Sequence, residues 1–488
     1  MPASAIARVL LALAIALMPV SSALGSTTGL DQSAAAKARF LEGVVQFALD
    51  TGDLTTAQAY LPALKGESAT FLKGKLALDL GDQASAKRHF SSVMDGAVHR
   101  GDAALALAQM AEREGLNEEA TRRYQQAQQL GYGDTRQQAA LALAEQARKA
   151  GNSDLAGQRL ADMEPGYWSA VGYMNLAAEF SERDLNGSQA LVSLRVAMAM
   201  AAADGNEDRR QGLLDQLHVR AARVALEDED FDKAIGFLEK VSLTGYEAPQ
   251  ALYLHGVAWS GKQNQRSAMQ SWHRAKKFPL AFPGVAEAWL GMGRGYDLAG
   301  YPGQAGEEWL AANAAYEGER VTLQTLARNI REQGAYKSLL EDAKGDQSQW
   351  FLAESRTLAQ PRIAYLLRFL EQPGAQAAVN RVARLANMER TLEQRDANLA
   401  IFLDVLLEQR GSEAGVISII QDQRALTGAL QQQVQSLRAR TELALDELAL
   451  AFVESEDRRM AQALDRTEQQ IAHLYEYLAL ETLAERQP

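Results

Sequence analysis

From about residue 38 to residue 316, small and large apolar residues recur at helical rather than alternating spacing, and a longer period is superimposed on the helical one. The stretches G-D-L-T-T-A (Gly52 to Ala57), G-D-Q-A-S-A (Gly81 to Ala86), G-L-N-E-E-A (Gly115 to Ala120), G-N-S-D-L-A (Gly151 to Ala156) and G-Y-P-G-Q-A (Gly300 to Ala305) align. Each is a glycine, four residues and an alanine. In F-D-K-A-I-G-F-L and Q-R-S-A-M-Q-S-W the same slot is filled by Ala234 and Ala268 without the glycine. The interval is 34 residues from Ala86 to Ala120 and from Ala234 to Ala268, 36 from Ala120 to Ala156 and 37 from Ala268 to Ala305. Each unit predicts two helices and a short turn, the glycine taking the left-handed conformation that ends the first helix.

The alanine falls one turn into the second helix. Four residues later comes a bulky side chain, as in Phe90, Tyr124, Leu160, Leu238, Trp272 and Trp309, followed three residues on by Ala127, Ala275 or Ala312 in the clearest units. Small positions let helix axes approach and large ones fill the gap, so stacked hairpins bury a continuous core. These residues resemble the tetratricopeptide repeat family, whose pattern is Trp, Leu-Gly, Tyr, Gly, Ala, Phe, Ala over about 34 positions. The clearest unit is Trp289, Met292-Gly293, Tyr296, Gly300, Ala305, Trp309 and Ala312; the one before it is Leu252, His255-Gly256, Trp259, Ala268, Trp272 and Ala275. Gly74, Gly81, Ala86 and Phe90 form a partial match, with Thr70 and Ala77 where the family has Trp and Tyr. Weaker copies centre on Ala57, Ala120, Ala156, Ala190 and Ala234.

The resemblance implies an all-α, right-handed superhelical solenoid of about seven or eight hairpins over residues 26–316. It implies that the first helices line a concave groove, with Lys75, Gln109, Arg223, Tyr253, Arg294 and Asp297 as its partner-binding positions. Lys75, Arg223 and Arg294 there suit acidic side chains or a terminal carboxylate of an extended partner. The six glycines between Trp289 and Tyr316 begin like a nucleotide-binding loop. No β-branched strand precedes them and Gly293 falls on the repeat pattern, so close helix packing accounts for them.

From Ala190 to Ala234 the interval is 44, and A-A-A-D-G-N-E-D-R-R supplies a longer polar connection. Residues 317–374 read as an irregular helical capping region, since a solenoid's terminal units need atypical faces. Residues 375–488 read as long helices in a coiled coil or bundle. Leu385, Leu392, Leu399 and Leu406 recur every seven residues, and Leu430, Val434, Leu437, Thr441, Ala444, Leu448 and Ala451 alternate spacings of three and four. One helix of about 70 residues is roughly 105 Å long. E-S-E-D-R-R, Glu454 to Arg459, breaks the stripe, so a bend or hairpin is expected there, and an antiparallel bundle within one chain is preferred to pairing between chains.

The N-terminus changes the picture of where the chain works. Arg8, an apolar run from Val9 to Val20 and the small residues S-S-A-L-G-S have the layout of a secretory signal peptide over residues 1–25, with cleavage after Ala23 or Gly25. The run is shorter than the roughly 20 residues of a spanning helix, so a soluble mature protein without a transmembrane segment is expected. The chain has 0 cysteines, which excludes disulfides, a thiol nucleophile, thiolate metal sites and a lipidated cysteine. Export without disulfide or lipid anchor points to the periplasm.

Composition is that of a globular protein, 47% hydrophobic and 23% charged. The 50 Lys and Arg against 62 Asp and Glu, a formal charge of −12, argue against nucleic acid as a partner. The six histidines show no metal-ligand spacing. In E-D-E-D-F-D, Asp228, Asp230, Asp232 and Glu239 match four positions of a calcium loop, yet Lys233 stands where that loop needs glycine. No nucleophile elbow, phosphate loop or zinc-hydrolase motif is present. The sequence therefore predicts no catalytic residue, metal or cofactor. The expected function is a non-enzymatic cell-envelope scaffold that binds protein partners in the groove and uses its C-terminal helices for a second contact or self-association. Two other readings stay open: a cell-wall glycan hydrolase or polysaccharide-export component with a helical superstructure, and a structural coiled-coil protein that self-assembles.

Overall fold

The computed structural model describes residues 27–183, 187–341, 361–408 and 414–485; the expected signal peptide lies outside the described residues. The chain divides between His99 and Arg100 into two compact units. The first holds α1 (Thr27–Asp50), α2 (Leu54–Tyr60), α3 (Glu67–Asp79) and α4 (Gln83–Val93). Asp53 and Asp82 follow the turn glycines and accept the backbone N–H of Thr56 and Ser85, satisfying a donor that a helix start leaves unpaired. Val45, Leu49, Ala57, Leu61, Leu72 and Leu76 form the core of this unit. Behind α4 the chain turns back on Glu67, whose carboxylate accepts the N–H groups of Ala97, Val98 and His99 at 2.9, 2.9 and 2.6 Å. The bond from His99 foremost holds that carboxyl below its ordinary value.

The second unit continues with six hairpins: α5 (Arg100–Arg113) with α6 (Asn117–Leu130), α7 (Gly133–Lys149) with α8 (Ser153–Ala161), α9 (Tyr167–Arg183) with α10 (Ser188–Ala202), α11 (Glu207–Glu227) with α12 (Phe231–Leu238), α13 (Ala248–Gly261) with α14 (Gln265–Ala275), and α15 (Val285–Leu298) with α16 (Pro302–Gln333). The first helix of each hairpin packs on the first helix of the next as well as on its own partner, the arrangement of a solenoid. Among the described residues there is no strand, so the molecule is all-α.

Two features of the repeat acquire a geometric cause. The turn glycine is left-handed, with φ +75° at Gly115, +78° at Gly151 and +81° at Gly300. Where the sequence lacks that glycine, Glu229 and Gln263 occupy the slot with φ 57° and 60°; the conformation belongs to the turn, and two residues with Cβ atoms are forced into it. The next residue, Asp230 or Asn264, caps the second helix by accepting the N–H of Lys233 or Ser267. The second feature is the seat of the bulky residue. Phe90, Trp272 and Trp309 lie on Gly74, Gly256 and Gly293, 16 positions earlier on the first helix, where a Cβ would collide with the ring. The Trp272 and Trp309 indole N–H groups donate to the carbonyls of Tyr253 and Leu290 at 3.1 and 3.3 Å. The alanine slots Ala57, Ala86, Ala120, Ala190, Ala234, Ala268 and Ala305 are fully buried.

Beyond Tyr316 the structure departs from the expected boundaries. The limit at 316 falls inside α16, a 32-residue helix, because Leu323, Leu326, Ala327 and Ile330 prolong its buried face. Gly334, at φ +83°, ends it and a short π-helix, Tyr336–Glu341, comes next; residues 342–360 lie outside the described residues, and α17 (Pro361–Leu370) follows. Then come α18 (Ala375–Glu408) and α19 (Ala414–Glu485), the latter a single helix of 72 residues. The bend expected at Glu454–Arg459 is absent, for these polar residues are docking contacts. Arg331 and Arg320 pair with Glu454 and Asp457 at 3.3 and 3.1 Å, and Arg459 donates to the Leu280 carbonyl at 2.7 Å while pairing with Glu456 at 2.7 Å. Leu445, Ala449, Phe452, Val453 and Met460 of α19 are buried against Tyr316, Leu323, Ile330, Tyr365 and Phe369. α19 contacts both α15 and α16, as the first helix of a further hairpin would, and so seals the last hairpin. The first half of α19 runs antiparallel to α18, with Arg438 on Glu389 at 2.6 Å and Arg424 on Asp396 at 3.0 Å.

Candidate interaction groove

The layer of first helices in the second unit holds a cavity of about 290 Å³ across α9, α11 and α13. Its floor is Met174 and Ala177 of α9, Leu194 of α10 and Val219 and Val224 of α11; its rim carries Ser181, Gln216, Arg220, Arg223, Glu227, Glu247 and Gln250. α11 supplies most of it because a 21-residue helix presents Gln216, Val219, Arg220, Arg223 and Glu227 on one face at spacings of three and four. Neither Arg220 nor Arg223 is in an ion pair among the described residues.

The electrostatics follow from the concave setting. Arg220 is open to solvent yet surrounded by protein, and this partial desolvation lowers its guanidinium's hold on the proton; nearby Glu247 opposes the shift and Arg223 adds to it. Burial likewise pushes the Glu247 carboxyl above its ordinary value, with Glu371 adding and Arg220 opposing. Glu247 also lines a second, more open cavity of about 570 Å³ with Asp208, Gln211, Asp215, Ser242, Tyr246 and Glu371. The groove thus joins an apolar floor to two cationic and two anionic side chains, a surface for holding a segment in place.

The six sequence-predicted positions are not brought together. Arg223 lines the cavity. Lys75 lies in the first unit, half-buried and paired with Asp50 at 3.1 Å. Gln109 is half-buried on α5. Tyr253 is a packing residue: its ring fills the space a Cβ at Gly284 would take, and burial raises its phenol above the ordinary value. Arg294 and Asp297 are exposed on α15, outside the cavity. α19 approaches the first half of that helix, where Glu287 and Leu290 line a cavity of about 120 Å³ with Tyr316, Arg459 and Arg466. Sequence reasoning missed Arg220, Glu227 and Glu247. The available signal was R-A-A-R, Arg220 to Arg223, two cations one turn apart on a single helix face.

Among the described residues no group of three or more His, Cys, Asp and Glu side chains is placed to hold a metal ion. The acidic run from Glu227 to Asp232 is dispersed: Asp230 caps α12 and Asp232 pairs with Lys262. His255 Nδ1 meets the Ser271 hydroxyl at 2.8 Å and its Nε2 accepts the Trp259 indole N–H at 3.2 Å; burial lowers its ring's proton affinity. Among the described residues no helix is long and apolar enough to cross a membrane.

No protein-family model and no curated protein matches the chain. Among solved structures, it is similar to a tetratricopeptide repeat protein from Parabacteroides merdae, at 14% identity over 52% of this chain and 97% of that one with a TM-score of 0.30. It is also similar to the C-terminal part of a TPR repeat-containing protein from Cytophaga hutchinsonii, at 13% identity over 54% and 95% with a TM-score of 0.31. A third is the APC/C hetero-tetramer Cut9–Hcn1, at 12% identity over 86% and 98% with a TM-score of 0.24. On the geometry of its own hairpins, with left-handed turn, capped second helix, buried alanine and ring on glycine, the chain has a tetratricopeptide-repeat-like fold.

Proposed function

We propose that the protein is a non-enzymatic scaffold of the bacterial cell envelope, working in the periplasm, that holds an extended segment of a protein partner in the groove of α9, α11 and α13. The observation that carries this is the pair Arg220 and Arg223, two unpaired guanidiniums one turn apart above an apolar floor. A carboxylate of the partner meets the guanidiniums in charge-assisted hydrogen bonds, worth about twice neutral ones, and an adjacent apolar side chain enters the floor. Glu227 and Glu247 at the rim select against segments whose negative charge is continuous. The N-terminal pattern of Arg8, the apolar run and the small residues supports export; sequencing the N-terminus of protein recovered from the periplasm tests it, with a start at Leu24 or Ser26 expected.

The decisive experiment is affinity capture with crosslinking from the envelope fraction, using the native chain, the Arg220→Glu/Arg223→Glu double variant and Arg294→Glu. A partner retained by the native chain and Arg294→Glu but lost from the double variant supports the groove. A capture profile identical for all three excludes it.

A further inference from the structure

The distal part of the α18–α19 hairpin is apolar on two sides. One is the seam between the helices, where Leu392, Leu399, Leu403 and Leu406 of α18 face Ile420, Thr427 and Val434 of α19, Thr427 and Val434 being buried. The other lies open. Phe402 and Val405 on α18 and Ile419, Leu426, Leu430 and Leu437 on α19 are exposed, with Phe402 and Ile419 at 62%. At ~100° per residue these positions stand roughly a quarter to a third of a turn from the seam, displaced in the same rotational sense along each helix's own direction. The helices are antiparallel, so the two displacements point to the same side of the hairpin. The opposite side carries Glu393, Asp404, Gln421, Gln432 and Gln435 together with the exposed Leu407, and Ile401 points away from the seam. The hairpin therefore has one mainly apolar and one mainly polar face.

We propose that this apolar face is a homodimer interface, in which two copies of the chain lay their hairpins face to face and close a four-helix bundle. Ile419, Leu426 and Leu430, Leu437 repeat at seven-residue spacing, a stripe that fits a helix packed lengthwise. A two-fold axis lying in the plane between the two faces brings up a second antiparallel hairpin, which supplies two such helices. One charge lies on this side: Arg395, seven residues before Phe402 on α18, is exposed and donates to the Gln423 side-chain oxygen at 3.1 Å, while Asp396 beside it pairs with Arg424 at 3.0 Å. The size also fits. At roughly 60–100 Å² of open surface per side chain, and with apolar atoms making about 60% of an interface, six residues from each copy correspond to about 1,200–2,000 Å² in total, the range of stable complexes. The proposal is independent of the groove.

The test is the mass in solution of the purified full chain, by light scattering over a concentration series. The native chain is expected at about twice the mass of one chain. Ile419→Glu/Leu430→Glu is expected at the mass of one chain with unchanged helical circular dichroism. Gln421→Glu/Gln432→Glu adds the same charge to the polar face and is expected to remain at twice the mass. Because the chain has 0 cysteines, a second readout is direct: Leu426→Cys crosslinks to a second copy with a bis-maleimide, and Gln432→Cys does not. A native chain of single mass at tens of micromolar, an apolar-face variant that stays double, or equal crosslinking from both cysteines overturns the proposal. So does a monomer whose apolar face binds lipid vesicles or a different protein.

Discussion

At position 263 a glutamine holds φ 60°, five residues before Ala268, where Gly300 holds φ 81° before Ala305. The turn dictates the torsion, and a Cβ there costs about 1–2 kcal/mol. Gln263→Gly is accordingly expected to stabilise the second unit by roughly 1 kcal/mol and Gly300→Ala to destabilise it by about as much, read from denaturant midpoints. The seat of the bulky residue gives the opposite rule. In Gly293→Ala the new methyl collides with the Trp309 indole, and overpacking is expected to cost about 1–3 kcal/mol. At Gly318, in mid-helix with open space around it, the same change is expected to stabilise by roughly 0.5–1 kcal/mol. Alanine spacing revealed the units in the sequence even where their glycine was missing. The forced torsions at Glu229 and Gln263 were invisible there, since nothing in a residue's identity announces a conformation it disfavours.

Single elements show how far a polar interruption misleads. Glu454 to Arg459 reads as a break in an apolar stripe, yet those side chains pair with α16 and with the turn before α15. Arg459→Ala removes the donor to the Leu280 carbonyl and leaves Glu456 unpaired, at a cost of about 2–3 kcal/mol. Faster amide exchange over residues 452–474 and 316–330 is the expected sign. The longer polar connection expected between Ala190 and Ala234 is absent: only residues 203–206 separate α10 and α11, because the extra length is taken up by the 21-residue α11. In this short turn Asp204 receives two bonds from Arg209 at 2.6 and 2.8 Å. Those bonds, foremost, hold its carboxyl below the ordinary value of 3.8. The unfolded chain therefore takes up that proton at higher pH than the folded one. This stabilisation is complete above about pH 4 and fades as pH falls through the depressed value. Asp204→Asn is expected to be less stable than the native chain at pH 7, with the difference shrinking at pH 3.

For the second unit as a whole, the C-terminal hairpin is part of the solenoid's core. A chain ending at Gly374 uncovers Tyr316, Leu323 and Ile330, which are fully buried against α17 and α19. Such a chain is expected to unfold at lower denaturant and to bind hydrophobic dye, whereas a mere assembly module would leave the hairpins unaffected by its loss. The groove belongs to this scale as well. Arg223 was legible from the repeat register and Arg220 from its place one turn earlier on the same helix, but Glu247 enters only because α13 starts beside α11.

Periodicity alone determined the all-α class, the hairpin as the unit and the small and large positions of its packing, because these depend on residues at most about 20 apart, within reach of the helical repeat. Tertiary structure decided what depends on distant residues: that α19 continues unbroken through its polar segment, that it caps α16, that Tyr253 packs rather than lines a groove, and that four rim charges converge over one apolar floor. Contacts such as Arg320 with Asp457 join positions 137 residues apart, and no local pattern encodes which distant face will be left to cover.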